Sequence, residues 1–256
     1  MKVVILAGGR GSRITEETTV RPKPLVEIGD KPIIWHIMSI YAHHGLNDFV
    51  ICAGYKGYQL KEYFSNLVLH HSDITVDLGK NRIEYHHNAI PNWRVSVVDT
   101  GLDTMTGGRL KRVRRYLDDE PFCMTYGDGV GDIDVTAEVA FHRRHGLKAT
   151  MCTVSPPARF GAVNLEGDRV AAFAEKPQAS GQRINGGFFV LDPSVIDLID
   201  GDDTVWEGGP LERLAARSEL AAFPHDGFWQ PMDTLREKIQ LDDMWASGKA
   251  PWKIWE

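Results

Sequence analysis

Five strand-sized apolar runs, at residues 3–6, 49–52, 95–98, 122–125 and 149–154, recur through the first 155 residues. A strand apolar at nearly every position has no face to give to water, so both of its sides must be covered. Parallel strands sandwiched between helices meet that condition. Helical spacing fills several of the gaps, with Ile33, Ile34, Ile37, Met38 and Tyr41, then Leu60, Tyr63 and Phe64, then Leu110, Val113 and Leu117, then Val135 and Val139. Strands alternating with helices predict an α/β fold built on a doubly wound, mostly parallel, Rossmann-like sheet. After Pro156 shorter strands are expected at 160–165, 169–174 and 187–191, a small mixed β extension of the second half. Helices at 194–199 and 210–217, a strand at 220–223 and a last helix from 233 to about 247 complete the reading. With no repeat or linker, the 256 residues read as one domain, an α/β core at 1–155 followed by a second part at 156–256.

Charge and cysteine content exclude several classes. Lys and Arg number 29 against 35 Asp and Glu, a formal net charge of −6, which argues against nucleic acid as the main partner. The longest apolar runs are strand-sized, well short of the ~18 residues of a membrane helix. The N-terminal run at 3–7 is too short for a signal peptide and runs into glycine. Cys52, Cys123 and Cys152 are odd in number and widely spaced, which rules out a disulfide framework and fits the cytoplasm.

Ligands in doubly wound sheets bind beyond the carboxyl ends of the strands. There the first run is followed by Leu6, Ala7, Gly8, Gly9, Arg10, Gly11, Ser12 and Arg13. Three glycines let backbone N–H groups approach anionic oxygens, and Arg10 and Arg13 add phosphate donors. Ile14 breaks the dinucleotide fingerprint, and the Lys-Ser/Thr of a P-loop is missing. Pro22 and Pro24 hold Lys23 in an extended segment, a rigid cation able to neutralise charge on phosphoryl oxygens. As an exposed loop lysine, Lys23 should contribute little to stability. Asp128, between two glycines after the fourth run, suits a hard cation such as Mg²⁺; Asp233 is its candidate partner and also a candidate N-cap. Thr104 to Arg109 form a small-residue turn opening a helix, ready for an anion or a base, and Glu175, Lys176, Asn185 and Gly186 offer further ligand contacts.

The motifs LAGGRGSR, RPKP, YGDG, EKP and NGG, in this order, resemble the sugar-1-phosphate nucleotidylyltransferases over nearly the whole chain. The segments WHIM, GYKGY, VDTG, MTGGRLKRV, INGGFFVL, FWQPMDTLR and KAPWKIWE resemble the members that couple CTP to glucose 1-phosphate. The resemblance implies a Mg²⁺-dependent in-line attack of the sugar phosphate on the α-phosphorus of CTP, giving CDP-glucose and pyrophosphate. UTP or dTTP, another hexose 1-phosphate, or a non-catalytic regulatory subunit are the alternatives. It further implies that Leu6 to Arg13 wrap the nucleotide and that Arg13, Lys23 and Asp128 are catalytic. Asp128 and Asp233 would hold Mg²⁺, and Thr104, Gly108 and Arg109 would lie near base and ribose. Lys176 would take the sugar phosphate, with Glu175, Asn185 and Gly186 at the sugar hydroxyls. A homo-oligomer is expected, a hexamer among the options, with no membrane or nucleic-acid partner.

Other features read as structural. The doublets His43-His44, His70-His71 and His86-His87 are poor chelates, because adjacent side chains diverge. The three cysteines fall in expected core strands. Trp245, Trp252 and Trp255 need cover, expected from a neighbouring subunit, and the second half of 57–93 reads as a loop.

Overall fold

The computed structural model describes residues 1–86, 91–156, 162–174 and 183–255. Its centre is a seven-stranded sheet of β1 (Val3–Ala7), β2 (Asp48–Ala53), β3 (Arg94–Asp99), β4 (Phe122–Tyr126), β5 (Ala149–Val154), β6 (Ile184–Leu191) and β7 (Leu220–His225). The spatial order is β7-β5-β6-β4-β1-β2-β3. Six strands share one direction, and β6 alone runs against its neighbours β4 and β5. The fifth apolar run was expected to be purely parallel; it is parallel only to β7, because the later strand β6 wedges between it and β4.

Continuous burial follows from two separate apolar layers. Val3, Ile5 and Ala7 of β1, with Phe49, Ile51 and Ala53 of β2, enter one cluster, while Val4, Leu6, Val50 and Cys52 enter the other. This is the period-two alternation of a strand with helices on both sides. Helix α1 (Ile33–His43) covers the first face with Ile33, Ile34, Ile37, Met38, Ile40 and Tyr41, all buried. Helix α2 (Gly57–Ser65) adds Leu60. On the opposite face lie Leu110 of α3 (Thr106–Arg112), Trp206, and Val195 and Ile196 of a 3-10 helix at Pro193–Leu198, where the sequence pattern had implied an α-helix. The three cysteines are free and buried in sheet strands.

Two expectations fail. Within the expected loop, residues Asp73–Asp77 and Arg82–His86 pair as an antiparallel hairpin. Ile74, Val76, Ile83 and Tyr85 alternate along it but remain 40–49% exposed, so the signal never becomes burial. The C-terminal tryptophans are covered by their own chain. Trp252 is fully buried, its ring 5.6 Å from Phe228 and 6.4 Å from Trp245, and its Nε1–H donates to His36 Nδ1 at 3.4 Å. Burial pushes the His36 imidazole down to about 4, so the neutral ring accepts from Trp252 and donates through Nε2 to the Ile28 carbonyl at 3.0 Å. Trp255 packs edge-on to Trp35 at 5.6 Å.

Helix α4 (Val135–His145) carries a polar group into the first layer. Glu138 is 1% exposed and its Oε1 has no hydrogen-bond partner among the described residues. Burial raises its carboxyl to about 8, partly offset by a backbone hydrogen bond from Cys152. A carboxyl raised on folding favours the folded state fully below about 4.5 and loses that contribution as pH rises through 8. Glu138→Gln should therefore gain on wild type as pH rises, by about 1–3 kcal/mol at pH 8 relative to pH 5 in urea unfolding. An equal difference at both pH values would contradict the assignment.

Candidate active site

The segments following β1, β3 and β4 line a cleft of about 1010 Å³ at the carboxyl ends of these strands. Leu6, Ala7, Gly8, Gly9, Gly11, Ser12 and Arg13 line it, together with Lys23, Thr104, Arg109, Tyr126, Asp128, Asn185, Glu207, Trp229 and Asp233. Gly8 is required here by a close approach: a Cβ at this position would lie 2.1 Å from Arg109 Nη1. The first strand can thus end directly above a buried guanidinium.

Lys23 is the centre of charge. Its Nζ donates to Asp128 Oδ2 and to Asp233 Oδ1, each at 2.7 Å. The other oxygen of Asp233 accepts from Arg13 Nη1 at 2.6 Å. Lys23 is only 8% exposed, so the expectation of an exposed loop lysine is corrected. Its backbone is corrected as well. Pro22 is extended, but Lys23 opens a single 3-10 turn, Lys23–Leu25, that turns the side chain inward. A buried ammonium is tolerable because two carboxylates compensate it.

The carboxylates are 105 residues apart in sequence and are joined by a short ribbon. Residues Gly129–Gly131 pair antiparallel with Trp229–Pro231, and the Met232 amide donates to the Asp128 carbonyl at 2.8 Å. Asp233 is not the N-cap of helix α5 (Leu235–Ala246). Thr234 holds that place in a capping box with Glu237, whose carboxylate also accepts from the Asp233 amide at 2.8 Å. Capping is thus carried by other side chains, and the Asp233 carboxylate is left for the cleft.

Arg109, expected near base and ribose, lines the cleft from beneath. Its Nη1 donates to Ala53 O at 3.3 Å, Thr100 Oγ1 at 2.9 Å and Gly101 O at 2.7 Å, and its Nη2 to Leu102 O at 3.2 Å. Burial lowers its pKa. The guanidinium ties the ends of β2 and β3 under the glycine loop. Thr104, 7% exposed, lines the same wall.

Gly108 lies off the cleft lining. A Cβ there would approach Asp202 O at 2.5 Å, so the glycine lets α3 pack against residues 202–204. Around the start of α3, Met105 N–H donates to Asp202 O at 2.8 Å, and the Gly107 and Gly108 amides donate to Thr204 O at 2.9 and 3.2 Å. Arg10 pairs with Asp103 at 2.8 Å, both exposed and outside the lining. Gly186 is likewise off the lining, its carbonyl accepting from Trp229 Nε1–H at 2.7 Å. Glu175 and Lys176 lie outside the described residues.

Among the lining side chains without a role in the sequence reading, Tyr126, Glu207 and Trp229 carry polar groups. The Tyr126 hydroxyl donates to Glu207 Oε1 and accepts from Asn185 Nδ2 at 3.2 Å. Burial and the Glu207 carboxylate raise the phenol well above its ordinary range, so it stays a donor. Tyr126 could have been taken from its place two residues before Asp128. Glu207 gave only a weak signal, a lone acid between Trp206 and two glycines.

Residues 2–229 match the family model described as nucleotidyl transferase. The chain is 60% identical, over the full length of both proteins, to glucose-1-phosphate cytidylyltransferase of Salmonella typhi, and equally to that of Salmonella typhimurium. A solved UDP-glucose pyrophosphorylase complexed with UDP-glucose shares the fold at a TM-score of 0.69, with 16% identity over 96% of this chain and 98% of that one. This chain belongs to the nucleotidyl transferase family.

Proposed function

We propose that the protein transfers the cytidylyl group of CTP to α-D-glucose 1-phosphate, giving CDP-glucose and pyrophosphate. The observation that carries this reading is the convergence of Lys23, Arg13, Asp128 and Asp233 in one cleft of a chain that matches cytidylyltransferases end to end. A sugar-phosphate oxygen attacks the α-phosphorus in line, forming the new P–O bond as the bond to the β-phosphate oxygen breaks. No enzyme nucleophile is needed, so positioning and charge neutralisation are the chain's tasks. The loop from Leu6 to Arg13 receives the triphosphate. The Lys23 ammonium, already oriented by two carboxylates, neutralises charge on the phosphoryl oxygens.

The donor set suits a divalent cation. Two carboxylates are what Mg²⁺ takes from protein when substrate phosphates and water complete its shell. Asp128 and Asp233, close enough to share one ammonium at 2.7 Å, are the residues that would hold it. The ion would supply charge stabilisation at the reacting phosphates. A non-catalytic sugar-nucleotide-binding subunit would have no use for this converged set. The choice of CTP and of glucose 1-phosphate is supported by the relatives rather than by residue chemistry.

We also infer one nucleotidyltransferase unit over 1–256, supported by the insertion of β6 between β4 and β5. A cytoplasmic homo-oligomer without nucleic-acid or membrane partners is our further reading. Among the described residues no helix is long and apolar enough to cross a membrane, and the apolar hairpin face offers surface for a second copy.

Pyrophosphate release with glucose 1-phosphate, Mg²⁺ and each of CTP, UTP, dTTP, ATP and GTP tests the reading; turnover with CTP is expected, and preference for another nucleotide would overturn the specificity. Lys23→Met should lower kcat by about 10²–10³-fold, measured on protein shown to be folded by circular dichroism. Near-normal kcat would remove Lys23 from the reaction. Because Lys23 is buried between carboxylates, the same variant should also unfold at lower urea.

A further inference from the structure

Apart from Asp128 and Asp233, Glu207 is the acidic side chain among the described residues of the cleft wall. Its position is fixed from two sides. Thr106 Oγ1 donates to Glu207 Oε2 at 2.8 Å while accepting from the Trp206 amide at 2.8 Å. The Tyr126 hydroxyl donates to Oε1 while accepting from Asn185 Nδ2 at 3.2 Å. Each hydroxyl has a single proton, and both protons go to Glu207. A carboxylate has about four acceptor sites, so roughly two remain. This wall can therefore accept hydrogen bonds from a ligand and repels a phosphate.

Glu207 is held from both halves of the cleft: Thr106 belongs to the segment after β3, whereas Tyr126 and its partner Asn185 belong to β4 and β6. The glycine loop follows β1, and Thr104 follows β3, two strands further out on one side. Tyr126 ends β4 and Asn185 lies on β6, on the other side of β1. The cation Lys23 is held by Asp128, just after β4, and by Asp233, which also holds the cation Arg13. A sugar phosphate has one end that needs cations and another that carries hydroxyl donors.

We propose that Glu207 is a substrate-binding residue that accepts a hydrogen bond from a hydroxyl of the hexose ring, and that its charge turns the phosphate of the hexose 1-phosphate toward Lys23 and Arg13. The inference rests on the reading under Proposed function and extends it to the sugar's orientation. Tyr126 and Thr106 are positioning residues: they hold the carboxylate.

The test is steady-state kinetics of the full chain with CTP and glucose 1-phosphate, together with its 2-, 3-, 4- and 6-deoxy analogues. Glu207→Gln should raise KM for glucose 1-phosphate about tenfold or more and leave KM for CTP within about twofold. One deoxy analogue should lose about tenfold in kcat/KM on the wild type and lose little more on the variant, since the contact is already gone. Should Glu207→Gln not fold, Tyr126→Phe carries the same test, with a smaller rise, about threefold, in the same KM. A rise in KM for CTP instead would place Glu207 against the base amine and overturn the proposal. Unchanged constants for both substrates in a folded variant would overturn it too, making Glu207 structural. Absence of wild-type turnover would overturn the parent reading and this one with it, whereas wild-type turnover with an indifferent variant overturns this one alone.

Discussion

The ammonium of Lys23, held at 2.7 Å from two carboxylates, is the constraint on which the cleft depends. Without the lysine, Asp128 and Asp233 would face each other as like charges in a largely enclosed place. Without both acids, a buried ammonium would be uncompensated. The chain meets this by bringing three distant segments to one point. The turn at Lys23–Leu25 aims the amine inward, and the Gly129–Gly131 ribbon with Trp229–Pro231 fixes the acids side by side. The Thr234–Glu237 capping box keeps Asp233 out of helix capping. Each device is hydrogen-bonded, and together they fix a site of balanced charge.

A second buried cation supports the floor. Arg109 joins the ends of β2 and β3 through Ala53 and residues 100–102, and Gly8 lies directly over it. The glycine loop therefore rests on a hydrogen-bonded base, the support that preorganised amides need. Arg109, expected near base and ribose, both lines the cleft and supports the loop above it, and Glu207, unmarked by any motif, lines the cleft too.

Much of the fold was legible because burial on both faces leaves a direct trace in sequence. Strands such as Val3–Ala7 and Asp48–Ala53 are apolar at almost every position, and α1 shows its buried stripe plainly. The reversed direction of β6 left no trace, since an apolar strand reads alike in both directions. The hairpin at residues 73–86 was missed for the opposite reason: its apolar residues are not buried in this chain. In the site, Asp128 was legible as an acid at a strand end and Asp233 as its candidate partner, but their closure around Lys23 depends on pairing across 105 and 210 residues. Gly108 was misread because a glycine opening a helix looks the same whether it faces a ligand or a packed loop.

The most direct test of the central claim is the affinity for Mn²⁺ in the presence of CTP, read from the free-ion electron paramagnetic resonance signal. It should be measured for the wild type, Asp128→Asn, Asp233→Asn and the double variant. A shared site predicts about tenfold weaker binding in each single variant and little further loss in the double one. Unchanged Mn²⁺ affinity in either single variant, with the protein folded, would contradict the claim that the two carboxylates form one cation site around Lys23.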